Sequence, residues 1–465
     1  MANTKSNRES RYLALWSRSL GMKEAFIYPN GITGRMLGIM MTHLYNIPIH
    51  YIDDSAPETS LQAHAKTLRE RQITVLVPRS PYNEQTADVL CAKLRAEGIA
   101  YNDNALEELA LQSIAAIDAL LRERQKPTIA IEMTGMADDK HIGLIDSELL
   151  SRNADVQILY LCGLPEPFAK VRAQIEGSGG GGRNCLVRAL PSFYFHQLSS
   201  IQALIKTSMY FSNKNSHVPT FYLGHALVDW TNYQQNQLHL LQQESYDYAC
   251  VAGEDFLPRS REDCYLHSGY LGFDRIAPDI SGETFAPRNI VLFAPYNMDE
   301  MWKMFGLVKA TLSEQGGIYD VRLRVRYRNV GEPSSHWDSE GMAQILAQLS
   351  CYSNFSIDEN EHIVPQSYNE TFCCVCGATT MRYTYPLLAL RPSIVLADGA
   401  HVLPSALGIV FETSAEAQFM EILNDVYTKQ ETWHSTLLQY RKQKIYHFGR
   451  ASAWLADFVL KKLGL

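Results

Sequence analysis

From residue 23 onward, short apolar runs bounded by turn residues alternate with stretches of helix-like spacing. Residues 25–28 read as a strand that stops at Pro29-Asn30-Gly31, residues 36–45 as a helix, and residues 47–52 as a second strand ending in Asp53-Asp54. The alternation continues with strands at 73–77, 128–132 and 156–161 and helices at 83–97 and 106–124. Strands rich in Ile, Val and Leu and separated by helices belong to parallel sheets covered on both faces. A second series starts near Tyr246, with strands expected at 248–252, 264–267, 289–294, 321–325, 372–376 and 393–397. Its helices are expected at 298–315, 382–390, 415–427 and 447–463. The pattern predicts an α/β chain of two Rossmann-like halves, divided between residues 218 and 246. It gives an extension at 1–22, a first domain at 23–220, a second at 221–440 and a closing helical segment at 441–465.

Composition narrows the function classes. The chain has 465 residues, 46% hydrophobic and 20% charged, a globular balance. Lys+Arg 42 against Asp+Glu 50 leaves a net charge of −8, the opposite of the excess carried by a protein whose partner is a nucleic-acid backbone. No nucleic-acid partner is expected. No stretch supplies the roughly 20 apolar residues of a membrane span, and residues 1–21 are polar, without a signal core. Arg8, Arg11 and Arg18 with Leu13, Trp16 and Leu20 fit a short amphipathic helix. It packs onto the protein's own body or, as the alternative, makes a peripheral contact with a membrane surface. Nine scattered cysteines read as reduced thiols of a cytosolic protein. Cys373-Cys374-Val375-Cys376 reads as strand packing, since no second Cys or His cluster lies at zinc spacing. The glycine-rich tract at 177–182 reads as a mobile loop, either a lid or a domain edge.

Ligands of open parallel sheets bind beyond the carboxyl ends of the strands, so the loops there carry the candidate chemistry. Gly31-Ile32-Thr33-Gly34-Arg35 offers backbone N–H groups at a helix start, as a ligand loop or as a plain tight turn. His225, beside Gly224, presents an imidazole suited to base work near neutrality, or is structural. Gly377-Ala378-Thr379-Thr380 follows an apolar strand and puts two hydroxyls at a helix start, for a phosphate or for simple capping. Arg322, Arg324, Arg326 and Arg328 alternate, so on a strand they share one face, where they form surface ion pairs or meet an anionic donor. Glu132, Asp138, Asp139 and His141 follow a strand and read as a solvated turn, with a base or metal site as the alternative.

Several of these stretches occur in a recognisable order. Gly224-His225-Ala226, Asp247-Tyr248 with Gly253-Glu254, Gly269-Tyr270-Leu271-Gly272-Phe273-Asp274, residues 292–297, Gly377-Ala378-Thr379-Thr380 and Arg391-Pro392-Ser393-Ile394 follow one another. The run resembles the His-Gly loop, "DY…SE", "GYPxxD", "ILYAPTW", "TDYSS" and "KPII" series of the CDP-glycerol glycerophosphotransferase-like proteins, which have the GT-B glycosyltransferase fold. The resemblance spans roughly residues 220–400. It departs at three places. The Lys of the His-Gly loop is missing, Arg326-Tyr327 stands where a His-Pro pair is usual, and Gly377 replaces the acid before the hydroxyl pair.

The resemblance implies two Rossmann-like domains facing a cleft, with the last helix crossing back to the first. It implies a transferase moving a sugar or polyol phosphate from a nucleotide-activated donor to a glycan or glycolipid hydroxyl, in bacterial surface glycan synthesis. Gly377, Ala378, Thr379, Thr380, Glu254, Asp274, Tyr296 and Asn297 would line the donor site. Gly31, Thr33 and Gly34 would form the acceptor-side loop. Arg326 would stabilise the leaving group, and His225, Asp53 or Glu132 would take the acceptor proton. No metal and no cofactor is expected, the donor being a substrate, and the location expected is cytoplasmic, at or away from the inner membrane face. Two alternatives stand beside this: a sugar-nucleotide epimerase or hydrolase of the same fold, and a non-catalytic nucleotide- or glycan-binding protein.

Overall fold

The computed structural model describes residues 23–81, 83–133, 141–177, 184–207, 214–215, 217–224, 227, 246–256, 264–279, 284–314, 317–325, 338–358, 365–377, 379–396, 403–411 and 416–465. The strands form three sheets, and every pairing is parallel. β1 (Ala25–Ile27), β2 (Ile49–Tyr51), β3 (Val75–Leu76) and β4 (Tyr101–Asn102) make a four-stranded sheet in the order β2-β1-β3-β4. β5 (Thr128–Met133), β6 (Gln157–Cys162), β7 (Cys185–Ala189), β8 (Ala203–Lys206), β9 (Thr220–Tyr222), β10 (Tyr248–Cys250) and β11 (Tyr265–Leu266) make a seven-stranded sheet. Its order is β11-β10-β9-β8-β5-β6-β7. β12 (Ile290–Ala294), β13 (Asp320–Arg324), β14 (Phe355–Asp358), β15 (Thr371–Cys376), β16 (Ser393–Leu396) and β17 (Gly408–Phe411) make a six-stranded sheet, in the order β14-β13-β12-β15-β16-β17.

Alternation along the strands explains why these segments are apolar without a break. In the six-stranded sheet Val291, Phe293, Cys373, Val375 and Ile394 enter one core, while Leu292, Ala294, Cys374, Cys376 and Val395 enter another on the opposite face. Both faces are therefore covered, as parallel strands require. The four-stranded sheet behaves alike: Ala25, Ile27 and Leu76 join the core of the seven-stranded sheet, and Phe26, Tyr28, Val75 and Val77 form their own. The α/β class with Rossmann-like parallel halves is the fold observed.

Two features of the expected organisation are corrected. The segment 23–220 holds two sheets, because β1–β4 never pair with β5–β11. A boundary at 220/221 falls inside the seven-stranded sheet, since β9 pairs with β8 on one side and β10 on the other. The sheets change between Leu266 and Ile290. The four-stranded sheet sits at the β7 edge, where Arg35 of the helix Ile32–Tyr45 pairs with Glu166 of the helix Pro165–Gly177 at 2.7 Å.

The chain's end lies on the first half. In the helix Ala451–Leu463, Ala451, Leu455, Ala456, Val459 and Leu460 belong to the core of the seven-stranded sheet, and Asp457 pairs with Arg152 at 2.6 Å. The segment leading into it, after the helix Gln430–Lys444, runs along the loops that follow β10 and β11. Tyr446 N–H donates to Ala252 C=O at 3.0 Å, and the Tyr446 ring stacks on His267 at 4.5 Å. Gly269, with φ +86°, lies so close that a Cβ would stand 2.2 Å from the Tyr446 carbonyl oxygen. Only glycine meets both demands.

Candidate active site

The carboxyl edge of the six-stranded sheet gathers five of the expected donor residues. β12 and β15 are neighbours, with Ala294 opposite Cys376, so Tyr296 and Asn297 stand beside Gly377, Thr379 and Thr380. Asn297 caps the helix Met298–Leu312, its side-chain oxygen accepting from Glu300 N–H at 2.9 Å. Glu300 reaches back and accepts from Tyr296 N–H at 2.8 Å. This reciprocal arrangement is a form of capping box and fixes the loop.

Gly377 has a specific neighbour. A Cβ there would lie 2.3 Å from one Glu300 carboxylate oxygen and 2.6 Å from the other. The Glu300 carboxylate thus occupies the place of a side chain at 377.

Thr379 and Thr380 lead into the helix Met381–Ala389, which has no side-chain hydrogen bond capping its start. Thr379 Oγ1 accepts only a long bond from Met381 N–H, at 3.4 Å. The first turn faces the loop after β10 through Tyr383, whose ring meets Phe256 edge-on at 6.0 Å. Arg382, beside Tyr383, is 3% exposed, and sequence reasoning passed over it as one more helical residue.

Arg322 and Arg324 share a face of β13, and both are committed to carboxylates. Arg322 pairs with Glu370 at 2.7 Å, and Arg324 forms a buried ion pair with Asp358, which also accepts from Ser367 Oγ at 2.6 Å. Arg326, His225 and Ala378 lie outside the described residues, as do Asp138, Asp139 and residues 178–182 of the glycine tract.

The other candidates are placed elsewhere. Asp274 is 3% exposed and caps the last helix, accepting from Ala451 N–H at 3.1 Å and from Ser452 N–H. Each of its two oxygens serves that role. Burial raises its pKa, against the lowering effect of the Ser452 and Ala451 bonds. Glu254 pairs with Lys444 at 2.6 Å, which ties the β10 loop to the crossover segment.

Gly31, Thr33, Gly34 and Asp53 belong to the four-stranded sheet. That sheet adjoins β7, five strand spacings, or about 24 Å, from β10 in the sheet order. The residues expected to form the acceptor-side loop thus stand beyond the β7 edge, away from β10 in the sheet order. Gly34 instead admits the carbonyl of Pro29, which a Cβ would approach to 2.1 Å. Asp53 accepts from Ser55 Oγ at 2.7 Å and Ser55 N–H at 3.0 Å, and this lowers its pKa, which makes it a poorer base. Beside it, burial raises the Asp54 pKa, but bonds from Lys93, Tyr28 and the Leu61 N–H bring it down to about 2.

Glu132 lies fully buried at the end of β5. Its neighbour across the pairing with β8 is Lys206, equally buried, which sequence reasoning missed. Burial lowers the Lys206 pKa and Glu132 raises it, so each charge answers the other. A lysine closing an apolar strand was the available signal. Glu132 is enclosed, and its first task is to neutralise Lys206. His141 is buried rather than solvated, with Nδ1 2.8 Å from Tyr270 Oη. The nine cysteines are unbridged, and burial raises the thiols of Cys373 and Cys374. Among the described residues no three His, Cys, Asp or Glu side chains gather as metal ligands, and no helix is long and apolar enough to cross a membrane.

No protein-family model matches the chain, and no curated protein matches it in sequence. Solved structures do. The UDP-N-acetylglucosamine 2-epimerase of Neisseria meningitidis, solved with UDP-GlcNAc bound, is similar at 12% identity and a TM-score of 0.49, over 72% of this chain and 100% of that one. The wall teichoic acid polymerase TagF is similar at 15% identity and a TM-score of 0.46, over 83% and 99%. MurG of Acinetobacter baumannii is similar at 11% identity and a TM-score of 0.45, over 72% and 100%. At such identities the likeness concerns chain topology, and the fold stands on the parallel sheets themselves.

Proposed function

We propose that the protein is a nucleotide-sugar-dependent transferase whose donor binds at the carboxyl edge of the six-stranded sheet. One observation carries this: β15 empties through Gly377 into an uncapped helix start that faces the other half of the molecule. Helix starts attract phosphate through the positive end of the helix dipole; here the Arg382 and Tyr383 N–H groups already donate to the Thr379 and Thr380 carbonyls, so the dipole and the threonine hydroxyls carry the attraction. Thr379 and Thr380 add hydroxyl donors. In group transfer, negative charge grows on the departing nucleotide, so donors fixed at that place lower the barrier selectively. Glu300, held over Gly377, is the acid nearest the loop and suits a hydroxyl of the donor's ribose or sugar. The acceptor is a glycan or glycolipid hydroxyl, and a bacterial surface glycan fits the motif resemblance. No cofactor enters the proposal.

The test is a thermal-shift panel of CDP, CMP, UDP and GDP, followed by the matching nucleotide sugar with and without a glycan acceptor. Stabilisation by one nucleotide and acceptor-dependent release of it support the reading. Release without an acceptor assigns an epimerase or hydrolase instead. No stabilisation by any nucleotide removes the proposal.

A further inference from the structure

The helix start described above carries a charge that the described residues do not answer. Arg382, on the first turn, is 3% exposed, and its Nε and Nη1 are buried without a hydrogen-bond partner among the described residues. Its guanidinium lies over the Tyr383 ring at 4.8 Å, a contact that uses the face of the group and none of its N–H donors. Other buried arginines of this half each have at least one acceptor, although Arg391 Nη1 is also without a partner among the described residues. Arg324 has Asp358, Arg391 Nη2 has the Ala286 carbonyl at 2.6 Å, and Arg441 Nη1 has the Leu387 carbonyl at 3.1 Å.

A guanidinium is always charged and brings five donors, so burying it unanswered is costly. The cost is met if an anion shares the site. Two features point the same way. The charge sits on the turn where the helix dipole is positive. The Tyr383–Phe256 contact holds this turn against the loop after β10. We propose that Arg382 is a phosphate-binding residue, its N–H fork clasping an anionic oxygen pair of the ligand while the helix start holds a second oxygen. The identity of that anion as the donor's diphosphate rests on the proposed function; the anion site itself does not.

Inorganic pyrophosphate is therefore the probe, read by thermal shift and titration calorimetry on the full chain, with Arg382→Met and Arg382→Lys. Pyrophosphate should stabilise the wild type in a dose-dependent way. Arg382→Met should weaken binding by at least about 30-fold, and Arg382→Lys, which keeps charge without the fork, should fall between. Ligand-free Arg382→Met should melt at or above the wild type, because an unanswered buried charge is gone. Equal pyrophosphate shifts in wild type and Arg382→Met, no shift in the wild type, or a marked loss of stability in ligand-free Arg382→Met would overturn the inference. UDP, CDP and GDP are compared with their nucleosides in parallel. Nucleotide binding that ignores Arg382 defeats this inference alone. Pyrophosphate binding that no nucleotide improves on defeats the proposed function alone.

Discussion

Asp274→Ala separates two readings of the segment 269–274, which the motif order assigns to the donor site and the structure assigns to the crossover. The carboxylate is buried and accepts from the N–H groups of Ala451 and Ser452, residues 0% and 1% exposed. Losing a helix N-cap costs about 1–2 kcal/mol. The lost charge at the positive end of the dipole adds about 0.5 kcal/mol. Leaving two buried N–H groups without acceptors adds at least about 1 kcal/mol more. Relief from holding a buried carboxylate, whose pKa burial raises, offsets a part of this sum. A net loss of about 3 kcal/mol is expected, or about 100-fold in the local opening equilibrium of the last helix. Asp274→Asn, which keeps one acceptor oxygen, should cost about half as much.

The assay is amide hydrogen exchange by mass spectrometry, comparing the peptide 451–463 with the peptide 371–376 of β15. Two halves need not unfold together, so a local readout is better suited than a single melting temperature. Exchange in 451–463 should accelerate by about two orders of magnitude while 371–376 is unchanged. Unchanged exchange in 451–463, together with lost nucleotide binding, would refute the capping role and return Asp274 to the donor site.

Other perturbations follow from the same geometry. Asp358→Asn leaves Arg324 buried without its counter-charge and should cost about 3–5 kcal/mol in denaturant titration, whereas Asp358→Leu with Arg324→Met should recover most of it. Gly377→Ala drives a Cβ into the Glu300 carboxylate; the broken capping pair should cost about 1–2 kcal/mol and weaken nucleotide binding in calorimetry, and Glu300→Ala in the same chain should add little further loss, since the capping contact is already gone, and should not recover the binding. Asp54, with a folded pKa of about 2 against an ordinary 3.8, stabilises the fold at every pH above the ordinary value and loses that contribution as pH falls from about 4 towards 2. After allowance for solvent screening, Asp54→Asn should be about 1 kcal/mol less stable at pH 6, a gap that closes across that window in denaturant titrations.

Local pattern located most strands of the second half because each alternates fully between two cores, as Leu292 and Phe293 do. It did not show which sheet a strand joins. β9, β10 and β11 carry two or three residues each, and their membership is decided by pairing partners distant in sequence. Grouping them with the second half was natural, since the motif series begins there. The same blindness explains Gly253 and Gly269. Their glycines read as ligand loops, yet each exists to let the crossover backbone pass, a contact with Lys444 or Tyr446 that no local spacing encodes.

The reassignment of those loops sharpens the chemistry that is left. With Glu254 bound to Lys444, Asp274 capping the last helix and Asp53 beyond the β7 edge, three of the acids first considered are engaged in holding the architecture. The carboxyl edge of β12 and β15 keeps one acid in close contact, Glu300, and it stands where the motif's own acid has become Gly377. The two changes make sense only as a pair. A side chain at 377 and a carboxylate at 300 compete for one volume, so the glycine is the condition for the acid to arrive from the neighbouring helix. Under the proposed function Glu300 takes the place that the resembled motif gives to its own acid, and on that reading the departure at 377 does not by itself argue for a protein that has lost its chemistry.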